Sequence, residues 1–286
     1  MPTTNAPVVA GVSEDQPSVV RYAMAEASRL DTSVRVVHCY REHAGDVYIG
    51  SDRDEPMRAA GEAVLDAARR VVDEADAGQD VEYVLERGDP GSLLLRASEW
   101  AQVVVVGADE THWLERMLGG DVSGHLALQA ACPVVVVPRE LRDADLVDRV
   151  VVTLDGDTSA SGPLRYGFEL ADFRTELLHV MHATPAATTA ADTSVITARV
   201  SEEVALWNEL TPAVRVQLSL TNGDSLEECI GATVFASLLV IGRPHGGSPL
   251  FALTRPVAML VLREARCPVA IVPADYGSAT SHPRGG

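Results

Sequence analysis

Short apolar runs alternate with longer amphipathic stretches along nearly the whole chain. The run at residues 7–12 precedes a stretch that begins at Pro17, in which apolar side chains recur every three or four positions. That spacing places them on one face of a helix, and proline suits a first helical turn. The apolar face consists of Val19, Tyr22, Ala23, Ala27 and Leu30. The pattern therefore predicts a strand followed by an amphipathic helix.

The same alternation continues towards the C-terminus. Second strands are predicted at VRVVHC and LLHVMH, and second helices at about 56–76 and 194–210. Third strands alternate apolar and polar positions, whereas the fourth and fifth strands are almost entirely apolar, as in strands covered on both faces. Strands that alternate with helices in this way form parallel sheets. The predicted fold class is α/β, with two tandem doubly wound parallel-sheet domains of five strands each.

Two domains are predicted because the chain repeats itself. Pairs of equivalent residues stand 135 positions apart, namely Gly88-Asp89 with Gly223-Asp224, Gly107 with Gly242, and Cys132-Pro133 with Cys267-Pro268. Upstream, Ser13 corresponds to Asp155 at a separation of 142 residues. We therefore expect domain 1 at residues 1–140, a charged linker at 141–147, domain 2 at 148–274 and a disordered tail at 275–286.

The Gly-Asp turns recur in both repeats directly before a predicted third helix. An aspartate at that position can accept hydrogen bonds from the first backbone N–H groups of a helix, so N-capping explains the turns without a ligand. The first of these helices is expected at Asp89-Pro90. In the second repeat, the spacing of Ser225 and Glu228 predicts a capping box that begins at Ser225.

The charge composition disfavours two classes of binding partner. The chain has 41 acidic and 23 basic residues and a formal net charge of −18, which disfavours binding to nucleic acid and to anionic membranes. The N-terminus has no signal-peptide pattern, and no apolar run approaches the roughly 20 residues of a membrane span. We expect a cytoplasmic protein. Its four cysteines form no CxxC pair and are expected to be ordinary buried thiols.

These features together resemble the universal stress protein (UspA) family. The resemblance is carried by a tandem pair of domains with Gly-Asp turns, an apolar strand that ends in glycine, a glycine-spaced loop and a final CPV-x-V-V-P-like strand. It implies five-stranded domains like those of adenine-nucleotide hydrolases. It also implies that ATP or another adenine nucleotide binds at G-x2-G-x9-G-(S/T), with an aspartate at the end of the first strand contacting the adenine side.

The first repeat departs from this family pattern at three of five positions. Gly107 and Gly120 match the outer glycines, but Glu110 replaces the middle glycine and Asp121 replaces the Ser/Thr. Ser13 stands where the family has its aspartate. Because carboxylates repel phosphate, the resemblance implies that the loop of domain 1 is degenerate and does not bind a triphosphate.

The second repeat keeps more of the pattern. Asp155 matches the adenine-side aspartate and is followed by Gly156, and Gly242 matches the first loop glycine. His245 takes the middle glycine position beside Gly246 and Gly247, and Arg255-Pro256 replaces G-(S/T). Proline offers no N–H to a phosphate, but arginine can pair with one. A nucleotide site is therefore predicted in domain 2, with Asp155, Gly156, Gly242, His245, Gly246, Gly247 and Arg255 as its candidate residues.

Three functions remain open at this point. The favoured interpretation is a regulatory or binding module of the stress response with a degenerate adenine-nucleotide site. The alternatives are a protein that binds no nucleotide and acts through protein partners, and a slow ATP hydrolase. No catalytic residue is assigned, because no G-x-S-x-G or HExxH motif occurs.

Two further expectations concern metals and assembly. His179 and His182 are three positions apart on a strand, so they face opposite ways and cannot chelate one metal ion. The apolar final strands CPVVVVP and CPVAIVP are expected to pair with each other. That pairing would make the chain an internal pseudo-dimer, in the shape that single-domain members reach by dimerising, and a homodimer of the whole chain also remains open.

Overall fold

The structure is a computed structural model, and it describes residues 6–40, 54–75, 78–108, 129–139, 148–154, 161–184, 188–222, 224–243, 258 and 260–278. The chain divides into two compact units at residues 139 and 140. The unit that precedes this boundary is called the N-terminal unit below, and the one that follows it the C-terminal unit. Both consist of parallel strands that alternate with helices, which confirms the predicted α/β fold class.

The N-terminal unit contains five parallel strands in the order β3-β2-β1-β4-β5. Its elements are β1 (Val8–Gly11), α1 (Pro17–Arg29), β2 (Val34–Tyr40), α2 (Asp54–Ala75), β3 (Val81–Arg87), α3 (Pro90–Ser98), β4 (Val103–Gly107) and β5 (Val134–Val137). The chain moves outward from β1 to β3 and then returns to the other side of β1. The direction of strand addition therefore reverses between β1 and β4.

The C-terminal unit repeats this arrangement in the order β10-β9-β6-β7-β8. Its elements are β6 (Arg149–Leu154), α4 (Ser161–Arg174), β7 (Leu177–Thr184), α5 (Ala190–Leu210), β8 (Val216–Asn222), α6 (Ser225–Ala232), β9 (Leu238–Gly242) and β10 (Val269–Val272). Residues 260–264 are also helical, and the reversal point lies between β6 and β9.

The apolar strands and helix faces predicted from the sequence form the cores of the two units. All five residues of β4 are buried, and so are the four of β5 and the four of β10. On α1, the predicted stripe through Val19, Tyr22, Ala23 and Ala27 is buried, with Pro17 in the first turn. Glu26 is buried on the same helix and forms an ion pair with Arg29 at 2.6 Å.

Aspartate caps the third helix of each repeat. Asp89 accepts a hydrogen bond from the Ser92 N–H at 3.0 Å, as predicted. In the second repeat the cap is Asp224 rather than Ser225, because the Asp224 carboxylate accepts the Leu226 N–H at 2.8 Å. The capping box predicted from Ser225 is therefore wrong by one residue, and the two repeats use the same aspartate of the Gly-Asp turn.

The chain remains ordered beyond the predicted end of domain 2. Residues 274–277, of which 275–277 were expected to belong to a disordered tail, form a turn against the start of α4. The Tyr276 hydroxyl donates a hydrogen bond to Glu169 at 3.1 Å, and its ring meets Tyr166 edge-on at 5.5 Å. These contacts hold the segment as far as Gly277 against α4. Residues 279–286 lie outside the described part of the chain.

Candidate functional site

Ligands of doubly wound sheets bind beyond the carboxyl ends of the strands, where the strand order reverses. In the N-terminal unit this point lies between the ends of β1 and β4, and in the C-terminal unit between the ends of β6 and β9. We call these two places the N-terminal crevice and the C-terminal crevice. The glycines that end β4 and β9, Gly107 and Gly242, therefore stand at the same place in the two units.

A glutamine covers the glycine of the N-terminal crevice. A Cβ atom at position 107 would collide with Gln16 Nε2 and would lie only 3.0 Å from Gln16 Cδ. Gln16 is the N-cap residue of α1, but its side chain caps no backbone N–H of that helix. Instead its Oε1 accepts the Ser13 N–H at 3.2 Å. The amide of Gln16 therefore lies between the end of β1 and the end of β4.

The cavity left in the N-terminal crevice is small. It has a volume of about 50 Å³ and lies between the ends of β1 and β2 and the start of α3, where Ser13, Gln16, Cys39 and Leu94 are among its lining residues. A water molecule takes up about 30 Å³ in the liquid, so this space suits about one or two waters and is too small for a nucleobase. Among the described residues, Gln16 therefore leaves little space at the N-terminal crevice, where Ser13 also stands in place of an aspartate.

The glycine of the C-terminal crevice has a different surrounding. Among the described residues, the only atom within 4 Å of a Cβ at position 242 would be Pro163 Cγ, at 3.3 Å. Pro163 belongs to the first turn of α4, so the crevice lies between that helix start and the end of β9. No described side chain covers Gly242 as Gln16 covers Gly107.

Most of the predicted site residues lie outside the described residues. They are Asp155, Gly156, His245, Gly246, Gly247 and Arg255 in the second repeat, and Glu110, Gly120 and Asp121 in the first. Of the predicted set, the structure describes Gly107 and Gly242, both at carboxyl ends of strands. The roles predicted for the other residues stay predictions.

In each unit, a histidine side chain is hydrogen-bonded to the backbone at the end of the first strand. His38 Nδ1–H donates to the carbonyl of Val12 at 2.8 Å, and His182 Nδ1–H donates to the carbonyl of Leu154 at the same distance. These carbonyls directly precede Ser13 and Asp155, the two corresponding positions of the repeats. Each histidine therefore fixes the end of its first strand just before the residue expected to face a ligand.

Sequence analysis missed these positioning contacts. The sequence did not show which histidine of LLHVMH corresponds to His38, and the strand pairing, which matches Leu154 with His182, decides it. His38 and His182 are therefore the structural counterparts. Gln16 was also missed, and the only signal for it was a long polar side chain next to the helix-starting Pro17. Nothing in its spacing indicated that the side chain turns away from the helix.

His179 and His182 face opposite ways, as predicted. His179 Nε2 shares a 2.8 Å hydrogen bond with Ser219 Oγ, whereas His182 reaches Leu154. Burial lowers the pKa of His179, and the charge of Arg149 lowers it further. Within the described ranges, no group of three or more His, Cys, Asp or Glu side chains is arranged to hold a metal ion.

The four cysteines are free thiols, three of them buried and Cys39 partly exposed at the N-terminal crevice. Burial raises the pKa of Cys229 to about 11 and that of Cys267 to about 12. Thiols with such pKa values stay protonated at neutral pH and are poor nucleophiles. The prediction of ordinary buried thiols holds for Cys132, Cys229 and Cys267, but Cys39 is less buried.

A larger groove lies away from both crevices. It has a volume of about 440 Å³ and runs beside α2 and the edge strand β3. Its two arginines are paired with carboxylates of the same helix, Arg58 with Glu62 at 3.0 Å and Arg69 with Asp66. Because both charges are already paired and the groove is not at a strand reversal, we do not assign it as the nucleotide site.

The fold is that of an α/β protein made of two units with the same strand order, each with a crevice where the strand order reverses. Residues 5–138 match the sequence profile of the universal stress protein family. A universal stress protein of Mycobacterium tuberculosis is 26% identical over 272 residues, which cover 94% of this chain and 96% of the relative. A universal stress protein of Mycolicibacterium smegmatis is 25% identical over 91% of this chain and 94% of its own. The N-terminal unit therefore carries a universal stress protein domain, and similarity to proteins of that name extends over nearly the whole chain.

Solved structures agree on the fold. The crystal structure of a universal stress protein from Archaeoglobus fulgidus superposes with a TM-score of 0.71 at 21% identity, over 94% of this chain and 96% of that one. A putative universal stress protein from Pseudomonas aeruginosa gives a TM-score of 0.59 at 17% identity. Among the described residues, no helix is both long and apolar enough to span a bilayer.

Proposed function

We propose that this protein is a regulatory module that binds an adenine nucleotide in its C-terminal crevice. Asp155 contacts the adenine or ribose side, and Gly156 lets the backbone approach it closely. Gly242, Gly246 and Gly247 shape the loop beside the phosphates, with His245 next to them, and Arg255 pairs with phosphate charge. The N-terminal unit has a structural role.

The observation that carries this proposal is the residue near the end of each first strand, Asp155 in the second repeat and Ser13 in the first. In the first repeat the Gln16 amide also covers Gly107. The C-terminal crevice is therefore the better candidate of the two.

The backbone next to Asp155 is held in place, as is the corresponding backbone of the N-terminal unit. His182 holds the Leu154 carbonyl at 2.8 Å, and Thr153 Oγ1 donates to the Val240 carbonyl at 3.4 Å, which joins β6 to β9 near the crevice. His182 is only 3% exposed, so its ring is fixed by packing as well as by the hydrogen bond. A strand end held in this way lowers the cost of orienting a ligand-binding side chain.

Isothermal titration of the purified full-length protein with ATP, ADP and AMP tests the proposal. Asp155→Ala is expected to weaken the affinity about 10- to 100-fold, since a hydrogen bond to a charged group contributes about 1.5–3 kcal/mol. Ser13→Ala is the matched control, because Ser13 is the corresponding residue of the other repeat. It should leave the affinity unchanged. Equal effects of the two substitutions would contradict the role given to Asp155.

Two other results would replace this function by one of its alternatives. If no nucleotide co-purifies by mass spectrometry and millimolar ATP causes no thermal shift, the alternative of a protein that binds no nucleotide and acts through protein partners is favoured. If ATP is bound and phosphate is released with turnover, the protein is an ATP hydrolase.

A further inference from the structure

Gln16 is a buried polar side chain in the N-terminal crevice, and its amide nitrogen has no hydrogen-bond partner among the described residues. The residue is 5% exposed, and its Oε1 is bonded to the Ser13 N–H at 3.2 Å. Its Nε2 is buried and finds no acceptor among the described residues. Buried donors without partners are rare in native proteins, because losing hydration without a replacement hydrogen bond is unfavourable.

The orphaned amide nitrogen lies where a ligand would approach the sheet. It stands against the Cα of Gly107, so that any Cβ at that position would collide with it. Gly107 does not need glycine for its backbone angles, since it is not among the described residues with positive φ. In this structure the space beside the Gly107 backbone is taken by the Gln16 amide.

The other repeat has a shorter side chain at the corresponding position. The separation of 142 residues that matches Ser13 with Asp155 matches Gln16 with Thr158. A threonine side chain branches at Cβ and ends there, so it cannot extend across a crevice as glutamine does. The two repeats therefore differ in sequence at the position from which Gln16 covers Gly107.

We propose that Gln16 occupies the ligand position of the N-terminal crevice and thereby limits the chain to one nucleotide site. This inference deepens the proposed function and rests on it for the identity of the ligand. The carboxamide fills the space between the strand ends and leaves a cavity of about 50 Å³, too small for a base. Gln16 is thus a specificity-determining residue that decides which of the two repeats can bind a nucleotide.

The test measures how many molecules of tritiated adenosine bind to the full-length protein in equilibrium dialysis. Adenosine is used because it carries no phosphate, so Glu110 and Asp121 in the following loop do not repel it. Gln16→Ala and Gln16→Thr both remove the covering amide, and the second installs the side chain of the other repeat. Each is expected to bind one more adenosine per chain than the wild type.

Two control variants test whether an extra adenosine binds because the Gln16 side chain no longer covers the N-terminal crevice. Gln16→Met keeps a long side chain without the amide, so it should keep the crevice closed and bind as the wild type does. Gln102→Ala removes the same residue type elsewhere, since Gln102 Nε2 donates to the Ala6 carbonyl at 2.8 Å near the amino end of the sheet. It should bind as the wild type does. Thermal unfolding of each variant shows that it is folded.

Repeating the dialysis with Asp155→Ala keeps this inference separate from the proposed function. In that background the unsubstituted Gln16 protein should bind almost no adenosine, and Gln16→Ala should restore one site. If the wild type binds neither adenosine in dialysis nor ATP, ADP or AMP in the titrations, but Gln16→Ala gains an adenosine site, the proposed function fails and the role of Gln16 stands. If folded Gln16→Ala and Gln16→Thr both bind no more than the wild type, or if Gln16→Met gains a site as well, the role of Gln16 is wrong.

Discussion

Few of the buried side chains in the described part of the chain are polar. One of them is His179, and its burial affects its protonation. Its ring is 6% exposed, and its Nδ1 has no partner among the described residues. Burial, and then the charge of Arg149, lower the pKa of His179 below its ordinary value of 6.5. The folded protein therefore binds a proton at this residue less readily than the unfolded chain does.

This difference predicts a loss of stability on acidification. Between the lowered pKa of folded His179 and about 6.5, the unfolded chain binds more protons, so the free energy of unfolding rises with pH and falls as the pH is lowered. Each unit of pKa difference contributes about 1.4 kcal/mol. His179→Gln keeps a partner for Ser219 but cannot be protonated. We expect urea unfolding at pH 7.5 and 5.5 to show a smaller pH dependence for this variant than for the wild type. An equal pH dependence would show that other groups are responsible.

At the scale of elements, the start of α4 depends on the segment that follows β10. The Gly162 N–H donates to the Ala274 carbonyl at 3.0 Å, which satisfies one of the unpaired N–H groups of the helix start. Arg165 forms an ion pair with Glu169 at 2.7 Å and also donates to the Gly277 carbonyl at 2.7 Å. Because α4 also borders the C-terminal crevice through Pro163, this segment helps to position one of its sides.

Two glycine substitutions should have opposite effects on stability. A Cβ at Gly162 would collide with the carbonyl of Pro273 and lie 2.7 Å from that of Ala274, and backbone atoms cannot easily move aside. We expect Gly162→Ala to lower the free energy of unfolding by about 1–3 kcal/mol in urea titrations. The matched control is Gly231→Ala on α6, where a Cβ meets nothing described within 4 Å. It should raise stability by about 0.5–1 kcal/mol through helix propensity. A neutral Gly162→Ala would show that the segment after β10 is easily displaced.

At the scale of the whole molecule, two units with the same strand order follow each other in one chain. Sequence similarity to the mycobacterial relatives extends over more than nine-tenths of this chain, so both repeats belong to the compared region. The apolar final strands of the repeats, each bounded by prolines, lead us to predict that they pair with each other as an internal pseudo-dimer.

Cleavage of the linker tests this prediction. Limited proteolysis within residues 141–147 is expected to give two fragments that still elute together in size-exclusion chromatography, because separation would expose the apolar edges of β5 and β10. The mass of the uncleaved protein in the same experiment shows whether the chain also forms a homodimer. Release of two stable, monomeric halves would contradict the pairing.

The sequence predicted most of the fold because strands and helices depend on local periodicity. The strand at 149–154 and the end of the helix at residue 210 agree with the structure, and other ends differ by a few residues, such as the start of α5 at Ala190 rather than 194. The predicted helix cap was wrong where two neighbouring residues can fill the same structural role. Asp224 and Ser225 can both cap a helix, and only the folded backbone decides that the carboxylate of Asp224 does so.

The sequence by itself determined the α/β class, the repeat and the glycines that end β4 and β9, because these follow from patterns along the chain. Only the tertiary structure decided that His182, and not His179, is the counterpart of His38, since this correspondence depends on the register of β7 against β6. It also decided that Gln16 turns away from its helix and covers Gly107. Contacts of this kind join residues far apart in the chain, and side-chain direction is set by the space that packing leaves, which residue spacing does not encode.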